Sequence, residues 1–242
     1  MQVLISDIVS GRLAAGELLP RETDLAAQFG VSRGVARECV RGLEERGLVS
    51  VKHGRGATVN HEARWSAFDP DILAARLEGG EAAKILAEIL ECRRILEIAA
   101  VGVAAERATT DDLEKLSHAF ARMTASAERA HGNPAAENLY HEADIAFHRA
   151  LLAATGNRVL GNITEPVHRA FATARRPLAR PERRLERSLP EHQRILSAVA
   201  QRDPEAAREA MRAHLATIEE YLHEYEREHA APEEAGDRAA DR

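Results

Sequence analysis

Apolar residues change their spacing twice along the chain. Between residues 20 and 59, PRETDLAAQFGVSRGVARECVRGLEERGLVSVKHGRGATV, the pattern is dense and short-ranged. Leu25-Ala26 and Phe29 have helical spacing, and Gly30 suits the left-handed residue that ends such a helix. Val31 reads as the apolar plug of a tight turn, and Ser32 as the N-cap of a second helix. Behind it Val35/Ala36, Cys39/Val40 and Leu43 recur every three or four residues, and Gly47 closes the helix. Leu48-Val49-Ser50-Val51 and Ala57-Thr58-Val59 read as strands joined by the tip His53-Gly54-Arg55-Gly56. Residues 61–80 then read as a linker with a short helix over about 70–78, entered at Asp69-Pro70 and closed by Gly79-Gly80. From 81 to 229 strand signals vanish. Long Ala/Leu/Ile/Arg/Glu segments break near Thr109-Thr110, Gly132-Asn133-Pro134, Gly156-Asn157, Pro177 to Pro181 and Asp203-Pro204. That predicts about six helices in an antiparallel bundle. Residues 230–242 are polar and are expected to be a disordered tail.

The fold class expected is therefore mostly α: a winged helix-turn-helix over residues 1–60 and an all-α domain over 81–229. The first of these is a device for setting a helix into the major groove of DNA. The face of the second helix opposite its apolar stripe carries Arg33, Arg37 and Arg41. Arginine fits the O6/N7 edge of guanine, and a basic glycine-rich tip can press on phosphates or the minor groove. One recognition helix reads too few bases for useful specificity, so a homodimer on an inverted-repeat operator is expected.

Charge refines this picture. The 242 residues carry a net charge of −6, so the molecule as a whole is not a basic nucleic-acid binder. Residues 1–60 hold 8 Lys/Arg and 7 Asp/Glu, whereas the remainder holds 25 and 32. DNA affinity must come from the placement of individual arginines. No signal peptide or long apolar run is evident, so a soluble, cytoplasmic protein without membrane contact is expected. Cys39 and Cys92 are isolated on helical stretches and read as small buried thiols. Trp65 and Phe68 are expected to pack between domains.

The helical region holds the second chemical signal. Asp144 and His148 are one turn apart, flanked by Ile145, Phe147, Leu151 and Leu152. His192 follows Pro190-Glu191 near an expected helix start, and His214 lies in the last helix. A carboxylate and three imidazoles converging in an apolar bundle would suit Zn²⁺, Ni²⁺ or Mn²⁺. On spacing alone the plainer reading of these histidines is as core or solvated residues, and His141 competes for the same face. Arg93 projects from a helix face lined by Leu86, Ile89, Leu90, Leu96 and Ala100. A buried arginine needs an anion: a ligand carboxylate, or an acid such as Glu97. Asn157, after Thr155-Gly156, is either a pocket residue or a turn residue.

These motifs carry a resemblance. Ile8-Val9-Ser10-Gly11, Gly16-Glu17-Leu18-Leu19-Pro20, Leu25-Ala26 with Val31-Ser32-Arg33, and Gly47-Leu48-Val49 with Gly54-Arg55-Gly56 resemble the DNA-binding domain of GntR-type bacterial transcription regulators. That resemblance implies DNA contacts from Thr23, Ser32, Arg33, Gly34, Arg37, His53 and Gly54. Glu91 to Glu97, Ala104-Ala105-Glu106-Arg107, Asp144-Ile145-Ala146-Phe147-His148, Thr155-Gly156-Asn157, Glu191-His192 and Met211-Arg212-Ala213-His214-Leu215 resemble the effector domain of the FadR subfamily, called FCD. In its metal-binding members the ligands would fall on Asp144, His148, His192 and His214.

The expectation that results is a ligand-responsive transcription regulator, leaning to repression. A small organic acid, a hydroxy acid or sugar acid, would complete the shell of the divalent ion and meet Arg93. Two other readings stay open: a regulator for which the metal itself is the signal, and a metalloenzyme with a DNA-binding appendage. The second lacks a His-Glu-x-x-His motif, paired carboxylates or a nucleophile motif.

Overall fold

The computed structural model describes residues 1–52, 54–129, 133–174 and 181–229. The chain divides into two compact units, Met1–Ala82 and Ala83–Arg242.

The first unit begins with α1 (Gln2–Val9), α2 (Glu22–Phe29) and α3 (Arg33–Glu45). The strands β1 (Val49–Lys52) and β2 (Gly56–Val59) pair antiparallel, with Val49 opposite Val59 and Lys52 opposite Gly56. Gly30 ends α2 in the left-handed conformation at φ 63, and the Ser32 side chain caps α3 by accepting from the Val35 N–H at 3.3 Å. Leu4, Ile5, Ile8, Leu25, Val40, Leu43, Leu48 and Val59 form the core, each such side chain contributing roughly 1.5–3 kcal/mol by its removal from water. Val31 does not plug the turn. It is 40% exposed, while Leu25, Ala26 and Ala36 on the two helices are buried.

Residues 61–80 hold the short helix expected, but they pack into the first unit rather than standing apart from it as a linker. They contain a 3₁₀ turn (Glu62–Arg64) and α4 (Pro70–Glu78), and α4 is capped by Asp69, whose carboxylate accepts from the Asp71 and Ile72 N–H groups at 3.0 and 3.2 Å. Yet Ile72 is buried in the first unit's core, with Trp65 and Ala75 packed against it. The Trp65 indole donates to the Asn60 carbonyl at 3.1 Å, and Phe68 is exposed. Arg46, just past α3, donates to the Gly42 carbonyl at 3.0 Å and pairs with Asp69 at 3.1 Å and Asp71 at 3.3 Å. Gly47 has φ 74, and a Cβ there would lie 2.1 Å from the Arg64 carbonyl oxygen, so only glycine lets the two segments touch.

The second unit is helical: α5 (Ala82–Arg107), α6 (Thr110–Ala127), α7 (Pro134–Ala153), α8 (Arg158–Ala174), α9 (Pro181–Ala200) and α10 (Pro204–His229). Thr109 and Asp112 form a reciprocal capping box at the start of α6. Val101, Ala104, Leu116, Met123, Phe147, Leu151, Ile195, Val199, Met211 and Leu215 are fully or nearly fully buried and make one core. Pro190 lies inside α9 rather than at its start, so His192 sits mid-helix; the apolar run Ile195, Ala198 and Val199 holds α9 against the core across the lost backbone donor. Cys92 is exposed and Cys39 half-buried, against the expectation of two buried thiols. Cys92 shares the outer face of α5 with Glu91, Arg94 and Ile95, all exposed, while Arg93 and Glu97 point inward. The tail 230–242 lies outside the described residues.

Candidate functional site

Five helices of the second unit bring charged side chains into its interior. Arg93 and Glu97 come from α5, Asp144 and His148 from α7, His168 from α8, Glu191 and His192 from α9, and His214 from α10. All eight are buried.

The imidazoles are oriented by their outer nitrogens. His192 Nδ1–H donates to the Ser188 carbonyl at 2.7 Å. His214 Nδ1–H donates to Glu191 Oε2 at 3.1 Å, and Glu191 also accepts from the Thr217 hydroxyl at 2.6 Å. His148 Nδ1 stands 2.8 Å from Glu97 Oε2, at hydrogen-bond distance though out of line. Carbonyls and carboxylates only accept, so these partners put each proton on Nδ1 and leave Nε2 as a lone pair. Those Nε2 atoms face one another. His192 Nε2 lies 3.3 Å from His148 Nε2 and 3.1 Å from Asp144 Oδ1, and His214 Nε2 is buried without a partner among the described residues. Electron pairs at this separation with no proton between them repel unless a cation joins them. His148, His192 and His214 each offer a nitrogen within 4.8 Å of the others, a donor set able to hold a metal ion.

Electrostatics agree. Burial pushes His148 down to about 3, against the attraction of Glu97, and pushes His214 down to about 4, helped by repulsion from His192. Both are neutral near pH 7, the form a metal requires. Burial alone would raise Glu97, but Arg93, His148 and His168 hold it well below the usual carboxylate range. Burial likewise raises Glu191, and hydrogen bonds from His214 and Thr217 bring it below.

Arg93 takes the ion-pair alternative. Its Nε lies 2.5 Å from Glu97 Oε1, and its guanidinium stacks 4.5 Å over the Phe171 ring. Its Nη2 also donates to His148 Nε2 at 3.2 Å, so it still stands at the edge of the imidazole cluster. Asn157 does not join. It is exposed, and its Oδ1 caps α8 by accepting from the Val159 and Leu160 N–H groups at 3.1 and 3.3 Å. Sequence reasoning did not single out His168, whose Nε2 lies 2.9 Å from Glu97 Oε1, nor the orienting role of Glu191.

In the first unit, Thr23, Ser32, Arg33, Gly34 and Arg37 are clustered at the start of α2 and along the first turns of α3. Arg33 and Arg37 are exposed, and Arg37 makes a loose pair with Glu22 at 3.6 Å. Ser32 spends its hydroxyl on the cap. A Cβ on Gly34 would meet nothing closer than Ser32 Oγ at 3.7 Å, so that face is open. Gly54 turns the wing tip at φ 76, and His53 lies outside the described residues.

A family model described as "Bacterial regulatory proteins, gntR family" matches residues 1–59, and one described as "FCD domain" matches residues 88–217. The chain belongs to the GntR family. It is a transcription regulator with a DNA-binding helix-turn-helix and an FCD effector domain. It is 34% identical over 224 residues to the HTH-type transcriptional regulator LutR of Bacillus subtilis, covering 90% of this chain and 97% of that one. It is 31% identical over 204 residues to the galactonate operon transcriptional repressor of Escherichia coli, covering 84% and 86%. A solved structure described as "Lar controls the expression of the Listeria monocytogenes agr system and mediates virulence" shares the fold at a TM-score of 0.64 and 21% identity, covering 92% of this chain and 94% of that one. Among the described residues no helix is long and apolar enough to cross a membrane.

Proposed function

We propose that this GntR-family regulator holds one divalent ion on Asp144, His148, His192 and His214, and that a small organic acid bound there controls its grip on DNA. The ion supplies a Lewis-acidic point for a carboxylate when bound. Zn²⁺, Ni²⁺ and Mn²⁺ all suit the donor set. The observation that carries this reading is the set of Nε2 lone pairs and the Asp144 oxygen facing one another at 3.1–3.9 Å.

Arg93 stands beside this cluster on His148 Nε2. The ion would take that lone pair, which frees the Arg93 Nη2 N–H for a carboxylate while Glu97 holds the guanidinium in place. Arg33 and Arg37 reach base edges, Thr23, Ser32 and Gly34 face the backbone of the duplex, and His53 and Gly54 meet it at the wing. Two copies bind an inverted repeat. Acid binding releases the operator, which makes the protein a repressor, the direction named for its galactonate-operon relative. The effect on DNA is limited to the difference in acid affinity between the DNA-bound and free arrangements, about 1–3 kcal/mol.

The test is metal analysis of the purified protein followed by operator binding with and without a panel of hydroxy and sugar acids. A metal-loaded protein that an acid releases from DNA supports the reading. Release by chelator alone, with no acid active, makes the ion itself the signal. A protein that takes up no metal returns the histidines to the core.

A further inference from the structure

Arg33, Arg37 and Arg41 share the outer face of α3, and their surroundings differ. Arg41 pairs with Glu45 on its own helix at 3.1 Å, and Arg33 is exposed with no ion pair among the described residues. Arg37 is met from another helix: its Nε stands 3.6 Å from Glu22 Oε2, in the first turn of α2. Asp24, the other acid of that turn, lies 3.3 Å from the Thr23 hydroxyl instead.

Packing fixes the backbones behind this pair. Leu25 and Ala26 follow Glu22 on α2, Ala36 and Val40 flank Arg37 on α3, and all four are buried in the first unit's core. The Arg37 and Glu22 side chains themselves are 68% and 44% exposed, so in water the pair adds little to folding. Its weight is felt when a duplex covers α3.

The contact uses one edge of the guanidinium. Glu22 sits at Nε, which leaves both terminal nitrogens of Arg37 free to donate. Guanine offers O6 and N7 side by side to such a fork in the major groove. An arginine with no acid beside it can instead swing to a phosphate, a contact that carries no sequence information. A carboxylate at Nε opposes that swing, because a phosphate drawn to Arg37 from the α2 side would come against Glu22. Once the duplex excludes water, the attraction between the two side chains strengthens. An arginine already held also has fewer rotamers to lose on docking.

We propose that Glu22 is a positioning residue for sequence reading: it holds Arg37 by Nε, aims its terminal N–H groups at a guanine and denies them to the phosphates. This rests on the reading of Arg37 as a base contact and adds the residue that gives that contact its selectivity. Glu22 touches no base itself, so its effect passes through Arg37.

The test uses the full-length protein and a duplex that it selects from a random-sequence pool. Every single-base-pair variant of one half-site, and a scrambled duplex of equal length, are compared by fluorescence anisotropy at fixed salt. Arg37→Ala marks the base pair that Arg37 reads as the position where the wild-type preference disappears, a preference expected to be about tenfold to a hundredfold. Glu22→Gln keeps the shape and removes the charge. It should lower the preference at that same position by about threefold to tenfold and leave the other positions unchanged. It should also bind the scrambled duplex more tightly than wild type, since one negative charge has left a face that meets phosphates. On the Arg37→Ala background, Glu22→Gln should change no preference at any position. General loss of structure would weaken every duplex alike and cannot produce this pattern. A preference kept in full by Glu22→Gln, or lost equally at all positions, would overturn the assignment. So would a gain in preference, which would make Glu22 a competitor that DNA displaces from Arg37. If Arg37→Ala keeps every preference, the base contact of Arg37 fails first and the role of Glu22 falls with it.

Discussion

Replacing Glu191 by glutamine separates orientation from ligation at the histidine cluster. Glu191 accepts from His214 Nδ1–H at 3.1 Å and from the Thr217 hydroxyl at 2.6 Å. Glutamine has the same shape but one acceptor oxygen and one donor nitrogen. The oxygen can stay on His214 while the amide turns to Thr217, whose hydroxyl already has a second acceptor in the Ala213 carbonyl at 3.2 Å. The tautomer of His214 is then kept and its Nε2 remains a lone pair. What disappears is the negative charge behind the ring, which makes the imidazole a stronger donor. Losing such an outer partner lowers metal affinity about tenfold to a hundredfold. Metal-free stability should fall by about 1–2 kcal/mol, the difference between charge-assisted and neutral hydrogen bonds.

Two measurements check this. Zinc affinity is read by competition against a chelator on metal-stripped protein, and melting temperature is followed with and without zinc. Each tenfold loss of affinity removes about 1.4 kcal/mol of zinc-dependent stabilisation at saturating metal. For a unit of this size that is a few degrees of Tm, at about 2–4 °C per kcal/mol. Glu191→Ala should lose more, because it leaves His214 Nδ1–H and the Thr217 hydroxyl facing a void. If both variants lower the metal-free Tm yet bind zinc as tightly as wild type, Glu191 is a structural acceptor and His214 is no ligand.

Metal-free stability should depend on pH with a definite sign. His148 and His214 are depressed to about 3 and about 4, while in the unfolded chain both titrate near 6.5. Below about pH 6.5 the unfolded chain takes up protons that the folded one refuses, so stability is complete above that pH and falls as pH drops towards 4. A melting temperature of metal-stripped protein that stays flat from pH 7.5 to 4.5 would contradict the burial of these rings. Gly47→Ala should destabilise the first unit by several kcal/mol, since its Cβ would stand 2.1 Å from the Arg64 oxygen; an unchanged thermal or urea transition would show that the 62–64 turn moves aside freely. Arg33→Ala and Arg37→Ala should each weaken operator binding by about 1–3 kcal/mol without changing Tm, read by fluorescence anisotropy at fixed salt. Full affinity in both would remove α3 from the groove.

Much of this was legible because local rules and tertiary packing coincide. Gly30, Ser32 and the Asp69-Pro70 pair end or begin helices where their conformational preferences place them, and the structure keeps all of them. The types and order of Asp144, His148, His192 and His214 also marked one buried cluster. Other features depend on which face of a helix packs, and no short motif records that. His168 has no partner within one turn on α8; only the approach of α5 gives it Glu97. Cys92 and Arg93 are adjacent in sequence, yet one faces out and the other is 2% exposed. Asn157 could be read as pocket or cap from its sequence, and two backbone N–H groups made it a cap. Pro190 suggested a helix start because its cost inside a helix is large, but the apolar side of α9 outweighs it.

The segment 61–80 matters most for how a signal could reach DNA. A floppy tether would let the helical unit change without consequence for the winged helix. This segment is not one. Arg46 leaves the end of α3 and is fastened to the cap and first turn of α4, at Asp69 and Asp71. Asn60 adds a second tie, donating to the Gly47 carbonyl at 2.7 Å and accepting from Ser50 at 2.7 Å. Ile72 is buried among the residues that also anchor α1 and α3. The recognition helix and α4 are therefore fastened within one packed unit. Past α4 the chain turns at Gly79-Gly80, where Gly80 takes φ 86 and Arg76 pairs with Glu81 at 2.7 Å across the turn. On the proposed reading, an acid bound in the helical unit need not deform the DNA-binding unit at all. A displacement of α4 would carry α3 with it, and a proposed dimer held to a fixed half-site spacing would be sensitive to that displacement alone.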